Sequence, residues 1–253
     1  GKGCAVPSAA LQVLATHQNE PRPLWLDKTS VRLKTKLYAL QRPLLRLGKL
    51  SDQVIEARTL LESFSDDEFA QKIMNLQKLS KFERKAYSSR IGSADIQAMA
   101  GICEAVRRVL GFRPHREQIM GAFAILKGAV AEMATGEGKT LTANLSAITA
   151  AWRGMPVHVI TANDYLAARD CELGQKLFAK CGVTAASVTG DVPPDGRSAG
   201  YAHDIVYTTA RDMLADHLRD DLALAGKAGR IKHALGPALN AGKVDAGGIV
   251  MRG

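Results

Sequence analysis

The sequence predicts an α/β fold: a parallel sheet covered by helices, preceded by an α-helical N-terminal region. Three observations carry this. Strand-like and helix-like runs alternate from Gly128 onward. A Gly-rich turn, Met133-Ala134-Thr135-Gly136-Glu137-Gly138-Lys139-Thr140, stands between the first strand run and the first helix run. Residues 51–110, by contrast, carry helical signals only. Strands separated by helices imply parallel pairing with both faces of the sheet buried.

Taken in order, residues 1–110 form a basic and helical region. Leu33, Leu37, Leu40, Leu44 and Leu47 alternate spacings of four and three, which places them on one helical face. Arg32, Lys34, Arg42, Arg46 and Lys49 lie largely around the other sides. Such a helix suits an anionic membrane surface, a nucleic-acid backbone, or packing on the protein with its basic face in water. Pro43 inside it removes a backbone hydrogen bond, so a kink or break is expected near Ala39–Pro43. Ser65-Asp66-Asp67-Glu68 is a capping-box signature for a helix running toward Leu79. Ser93 is a candidate cap for the next helix, whose apolar face is Ile96, Met99, Ile102, Val106 and Val109 or Leu110, with Gly111 as its stop.

The composition changes near 111, and residues 111–222 read as the first part of a nucleotide-binding domain. Pro114 suits the first turn of a helix and Gly128 its end. The expected elements are a strand at 129–133, helix 139–153, strand 157–161, helix 164–181, strand 183–188, loop 189–202, strand 204–207 and a helix over about 210–222. Ligands of such sheets bind beyond the carboxyl ends of the strands. The turn at 133–140 fits a phosphate-binding P-loop. Its N–H groups can surround a phosphate, and the helix dipole favours negative charge there. Gly136, Glu137 and Gly138 supply the loop, Lys139 reaches the β- and γ-phosphates, and the Thr140 hydroxyl suits Mg²⁺. Met133 departs from the Gly of the general pattern. The plain alternative is a glycine turn that happens to precede Lys and Thr.

Longer phrases flank the loop. Glu132-Met133-x-Thr135-Gly136-Glu137-Gly138-Lys139-Thr140 is followed by Val157-His158-Val159-x-Thr161-x-Asn163-Asp164-Tyr165-Leu166-Ala167. Phe112-Arg113-Pro114-His115-Arg116-Glu117-Gln118 precedes them, and Asp204-Ile205-Val206-Tyr207-Thr208-Thr209 with Asp212 to Asp220 comes after. Together these resemble the SecA family of preprotein translocase ATPases, strongly over about 101–220 and more weakly over 50–100. Met133 is usual in that family. The resemblance implies a RecA-like, DEAD-type motor sheet, incomplete in this chain, with ATP and Mg as cofactors. It also implies that Lys139 and Thr140 are the catalytic residues present.

Gln118 lies 21 residues before Lys139. Its amide has donors and an acceptor that match N6 and N7 of adenine, and motors of the DEAD-box type, which the SecA family resembles, use a Gln in this place. The plain alternative is a solvent-facing helix Gln. Phe112 and Arg113 are candidates for stacking on the base. Asn163 or Asp164 suits a helix cap. In related motors this region and the one near Thr208–Arg211 face the moving polymer, which for SecA is an unfolded preprotein.

Hydrolysis in this architecture needs a further apolar strand ending in Asp-Glu, whose Asp helps hold Mg²⁺ and whose Glu positions the attacking water. No such strand follows residue 188. The Ala/Gly-rich tail 223–253 leads toward the place where it is expected, and no second motor domain is present. The expectation is therefore an N-terminal part of a SecA-like motor that by itself binds ATP with little turnover. An isolated piece without the acidic strand is also expected to expose apolar sheet edges and lose stability.

The expected partners are the SecY channel complex, unfolded preproteins and an anionic phospholipid surface met by the basic N-terminus, with a homodimer also compatible. The net charge is +9, and residues 1–50 hold nine Lys/Arg against Glu20 and Asp27. Aromatics at 5% speak against a DEAD-box nucleic-acid helicase, the first alternative; a non-enzymatic membrane-surface module is the second. Cys4, Cys103, Cys171 and Cys181 lack metal-type spacing and read as free thiols of a reducing cytoplasm. No apolar run approaches the ~18 residues of a membrane span, and Ala5–Ala15 does not read as a secretion signal. The expected location is cytoplasmic, peripheral on the inner face of the cell membrane. The opening Gly1 points to a start further upstream.

Overall fold

The structure is a computed structural model that describes residues 43–82 and 91–225. Leu33, Leu37, Leu40, Cys4 and the tail from 226 lie outside the described residues. The chain divides into two compact units, one of residues up to Arg153 with Lys180–Gly182, the other of Gly154–Ala179 with Val183 onward.

The first unit is helical: α1 (Pro43–Thr59), α2 (Asp66–Phe82), α3 (Ser93–Leu110), α4 (Arg116–Leu126) and α5 (Lys139–Trp152). The described part of α1 begins at Pro43, and the break expected near Ala39–Pro43 falls at the edge of the described residues. The leucine stripe does not continue as the buried face: Leu44 is 71% exposed. Gly48, Ser51, Val54 and Arg58 are buried instead. Gly48 leaves room for the Arg116 guanidinium, which grips Asp52 at 2.7 and 3.0 Å. Tertiary contact thus overrides the local pattern.

Caps fix the helix ends. The Ser65 N–H donates to Glu68 Oε2 at 2.8 Å, and the Glu68 N–H returns to Ser65 Oγ. This is the expected capping box. Ser93 is not the cap of α3. The Gly92 N–H donates to Asp95 Oδ2 at 2.8 Å, so the carboxylate three residues into the helix reaches back instead. Gly111 ends α3 in the left-handed conformation, as its position suggested. Pro114 lies one residue before the α4 cap, His115, rather than in the first turn.

Helix α3 is the centre of this unit, with Met99, Ile102, Cys103 and Val106 fully buried. Gly101 lets Leu76 of α2 approach its backbone, where a Cβ would come within 2.7 Å. Glu104 is fully buried. Arg107 holds it through two bonds of 2.8 and 2.7 Å, and Arg108 through a third of 2.8 Å. These bonds outweigh burial and keep its carboxyl below the usual range. Arg108 also bonds Asp66 and the Phe64 carbonyl at 2.7 Å, tying α3 to the start of α2.

The expected strand at 129–133 does not form. The Ala129 N–H turns back to the Ala124 carbonyl at 2.9 Å, and Val130 is 97% exposed. The run is short and finds no ladder partner among the described residues.

The second unit holds β1 (Val157–Thr161), α6 (Asp164–Lys180), β2 (Ala185–Val188), α7 (Pro194–Tyr201), β3 (Ile205–Thr209) and α8 (Ala210–Ala225). The strands pair in the order β1-β3-β2, all parallel, with Val157 and Ala185 both opposite Ile205. This is the parallel sheet the sequence predicted. All five residues of β3 are buried, as a central strand requires. Alternation sends Val206 toward Val188 and Tyr201 on one face. Tyr207 meets Phe178 on the other, with ring centroids 6.2 Å apart.

The segment expected as loop 189–202 contains α7, opened by Pro194. Its Arg197 lies in a buried network. Arg197 Nε donates to Asp216 at 2.8 Å, and Nη1 to the Thr189 carbonyl at 2.7 Å. The Tyr201 hydroxyl and Arg219 complete the Asp216 carboxylate at 2.9 and 2.6 Å.

Asp216→Ala leaves Arg197 buried without its partner and should destabilise the protein by about 3–5 kcal/mol in urea unfolding. Arg219→Ala, at the exposed edge of the same network, should cost under about 1 kcal/mol. His158 offers a pH test. Burial holds its imidazole pKa below the ordinary value, so the unfolded chain takes up a proton first as pH falls. Stability should therefore be full above about pH 6.5 and decline below it. His158→Phe should flatten that decline in unfolding curves taken between about pH 5 and 8.

Candidate functional site

The loop before α5 is shaped by how closely α4 and α5 pack. A Cβ on Gly121 would meet Thr142 Cγ2 at 2.9 Å. Ser146 Oγ bonds the Ala122 carbonyl across the interface at 3.2 Å. Met133 also packs here, with its sulfur 3.5 Å from where a Gly121 Cβ would stand. That gives this unusual P-loop residue a packing role.

This packing brings Gln118, in the first turn of α4, against the loop. Gln118 is buried. Its Oε1 accepts the His115 N–H at 2.9 Å, and its Nε2 donates to the Glu137 carbonyl at 2.9 Å. The partners fix which end of the amide is which. The side chain expected to read adenine is therefore also the brace between the α4 cap and the loop.

Gly136 and Gly138 take φ values of 91° and 84°, a region that disfavours any other residue. A Cβ on Gly138 would run into Gln118 Nε2. The ladder of α5 begins with the Thr142 N–H on the Gly138 carbonyl at 3.0 Å. The first N–H groups of the helix precede that ladder and face the loop. Ala134 is the hub of the turn. Its N–H donates to Glu137 Oε2 at 2.9 Å, and its carbonyl accepts Lys139 Nζ at 3.0 Å. Thr140 is half-buried at the second position of α5.

Gln118, Gly136, Glu137, Gly138, Lys139 and Thr140 are thus gathered in one place. The cradle fits a phosphate chain: two positive-φ glycines without side chains, a helix N-terminus and one flexible ammonium. Phe112 is exposed. Arg113 is committed elsewhere, bonding Glu62 at 2.7 Å. Two features of the loop were not legible in the sequence, the Ala134 hub and the Glu137 carboxylate closing on it. Neither has a compositional signal.

In the second unit, Asn163 rather than Asp164 caps α6, accepting the Leu166 N–H at 2.8 Å. Asp164 instead meets Arg211 at 3.3 Å. A Cβ on Gly190 would stand 3.4 Å from Asp164 and 3.6 Å from Arg211. The segments after β1, β2 and β3 therefore converge on one exposed polar cluster.

Cys103, Cys171 and Cys181 are free and buried. Burial pushes the Cys103 thiol up to about 12 and raises the other two. Among the described residues no His, Cys, Asp or Glu cluster could hold a metal ion. Nor is any described helix long and apolar enough to cross a membrane.

Residues 33–241 match the family described as the SecA DEAD-like domain. The chain belongs to the SecA family. It is 40% identical over 200 residues to protein translocase subunit SecA 2 of Magnetococcus marinus, covering 78% of this chain and 30% of that protein. It is 35% identical over 230 residues to SecA 2 of Chlorobium chlorochromatii, covering 91% and 34%. It is 40% identical over 182 residues to SecA 1 of Corynebacterium glutamicum, covering 72% and 21%. This SecA-family chain spans about a third or less of the length of those relatives.

Gly138→Ala in this SecA-family chain meets two obstacles, its φ and Gln118. It should destabilise the protein by about 1–3 kcal/mol. Gln118→Ala removes one obstacle, so the two losses should be less than additive when measured by urea unfolding in a double-mutant cycle.

Proposed function

We propose that this chain is the ATP-binding part of a SecA-type motor, which couples ATP hydrolysis to preprotein movement across the membrane through the SecY channel. The observation that carries the reading is the braced loop itself. Gln118 holds Glu137 and abuts Gly138, and this fixes a cradle whose shape and charge suit the β- and γ-phosphates. Lys139 would neutralise phosphate charge. The Thr140 hydroxyl would hold Mg²⁺. Gln118 keeps a second amide proton and a second lone pair beyond the two bonds described, so adenine contact and bracing are compatible.

ATP hydrolysis would supply the free energy of movement. This chain's residues would bind the phosphates. The acidic motif and a second motor domain would come from sequence outside this chain, so the chain alone would turn over little. Family membership favours unfolded preprotein over nucleic acid as the polymer, against the DEAD-box helicase alternative. It equally favours a motor over a non-enzymatic membrane-surface module. The basic N-terminal segment suits contact with anionic phospholipid, consistent with a cytoplasmic protein peripheral on the inner membrane face. A homodimer is compatible with the same reading.

The test is ADP affinity of the full-length protein by isothermal titration. A charged hydrogen bond contributes about 1.5–3 kcal/mol, so Lys139→Ala should weaken ADP binding by about tenfold or more. Unchanged affinity would overturn the reading.

A further inference from the structure

The Glu137 side chain lies where the loop's bonding makes least sense for a bare phosphate site. Its backbone belongs to the cradle, since its carbonyl is held by Gln118 at 2.9 Å. Its carboxylate folds back across the turn and accepts the Ala134 N–H at 2.9 Å. The same turn is tightened by the Glu137 N–H on the Ala134 carbonyl at 3.4 Å and by Lys139 Nζ on that carbonyl at 3.0 Å. A loop of successive main-chain N–H groups is a concavity for anions. The anionic group that engages it here is one of its own side chains. Lys139, the cation suited to phosphate, donates to the carbonyl of the same residue, Ala134.

We propose that the Glu137 carboxylate is a phosphate-mimicking latch, which closes the loop on Ala134 and must swing out before a nucleotide's phosphates enter. This rests on the reading of the loop as a phosphate site. Two physical reasons support it. The carboxylate and the incoming phosphates carry like charge, and the carboxylate already occupies a main-chain donor of the loop, the Ala134 N–H. Glu137 is also solvent-exposed, so the released side chain can be hydrated at little cost and the loop can open without disturbing the buried Gln118 brace. A closed fraction reduces apparent affinity by the fraction of loops that remain open.

The experiment uses the full-length protein in wild-type form and as Glu137→Gln, Glu137→Ala and Lys139→Ala. Affinities for ADP and for adenosine, which has no phosphate, are measured by isothermal titration and by competition. Loss of the latch should tighten ADP binding roughly three- to tenfold in Glu137→Ala, the gain expected if about 70–90% of free loops are latched. Glu137→Gln, which keeps a neutral acceptor for the Ala134 N–H, should show a smaller gain in the same direction. Adenosine affinity should stay at the wild-type level. Glu137→Gln keeps the size of the side chain and removes only its charge, so it guards against a folding defect in Glu137→Ala. If Lys139→Ala binds ADP as the wild type does, the phosphate-site reading itself fails and the latch with it. If Lys139→Ala loses ADP affinity while the Glu137 variants bind ADP no better than wild type, the latch alone is overturned. The carboxylate is then a staple that the bound loop needs. A gain for adenosine equal to that for ADP also overturns it, because a phosphate competitor cannot act on a ligand without phosphate.

Discussion

The close approach of α4 to α5 is the constraint on which the loop 133–140 depends. A Cβ on Gly121 would crowd Thr142, and Ser146 Oγ bonds the Ala122 carbonyl across the same interface. At that separation the Gln118 amide spans from the start of α4 to the Glu137 carbonyl. Each of its hydrogen bonds contributes only about 0.5–1.5 kcal/mol. Their value lies in position. The brace fixes where the Gly138 peptide stands, and with it the direction of the first N–H groups of α5. Because Gly138 has no Cβ, Gln118 can sit against its backbone.

Each unit also carries one fully buried carboxylate held by arginines, Glu104 in the helical unit and Asp216 in the sheet unit. Burying such a charge is expensive, and pairing offsets the cost only when every oxygen is served. Both carboxylates meet that condition. Glu104 takes three bonds from Arg107 and Arg108. Asp216 takes bonds from Arg197, Tyr201 and Arg219. In each case the arginine goes on to grip backbone carbonyls, Arg108 at Phe64 and Arg197 at Thr189. The charge pair therefore acts on connecting segments. Arg108 anchors the turn before α2, and Arg197 anchors the turn after β2, where Gly190 lies against Asp164 and Arg211. An apolar replacement could match the stability of such a pair but could not hold those carbonyls.

Much of the candidate site was legible because it follows from main-chain needs. Gly136 and Gly138 require positive φ, and only glycine adopts it freely. Lys139 and Thr140 follow from their place at a helix start. What was not legible depends on a partner distant in sequence or on a side chain's choice among several acceptors. Met133 departs from the general P-loop pattern, and the packing it serves depends on Gly121 opposite it. Arg113 looked free to stack until Glu62, fifty-one residues earlier, was found to hold it. Ser93 has a side chain that can cap and Gly92 has none, yet Asp95 reaches the Gly92 N–H and decides the matter.

Local chemistry in the sequence by itself determined most helices and strands, most helix ends, the parallel character of the sheet and the glycine positions of the 133–140 loop. Periodicity, capping and glycine's freedom act over a few residues and need no partner. Tertiary structure alone decided the rest. It left Ala129–Met133 without a ladder among the described residues, because a strand exists only when another strand pairs with it. It turned α1 so that Gly48, Ser51, Val54 and Arg58 are buried while Leu44 stays in water, because Arg116 and Asp52 fix how that helix meets α4. It made Gln118 a brace and closed Glu137 onto Ala134, because a hydrogen bond forms where distance and direction allow, and packing sets both.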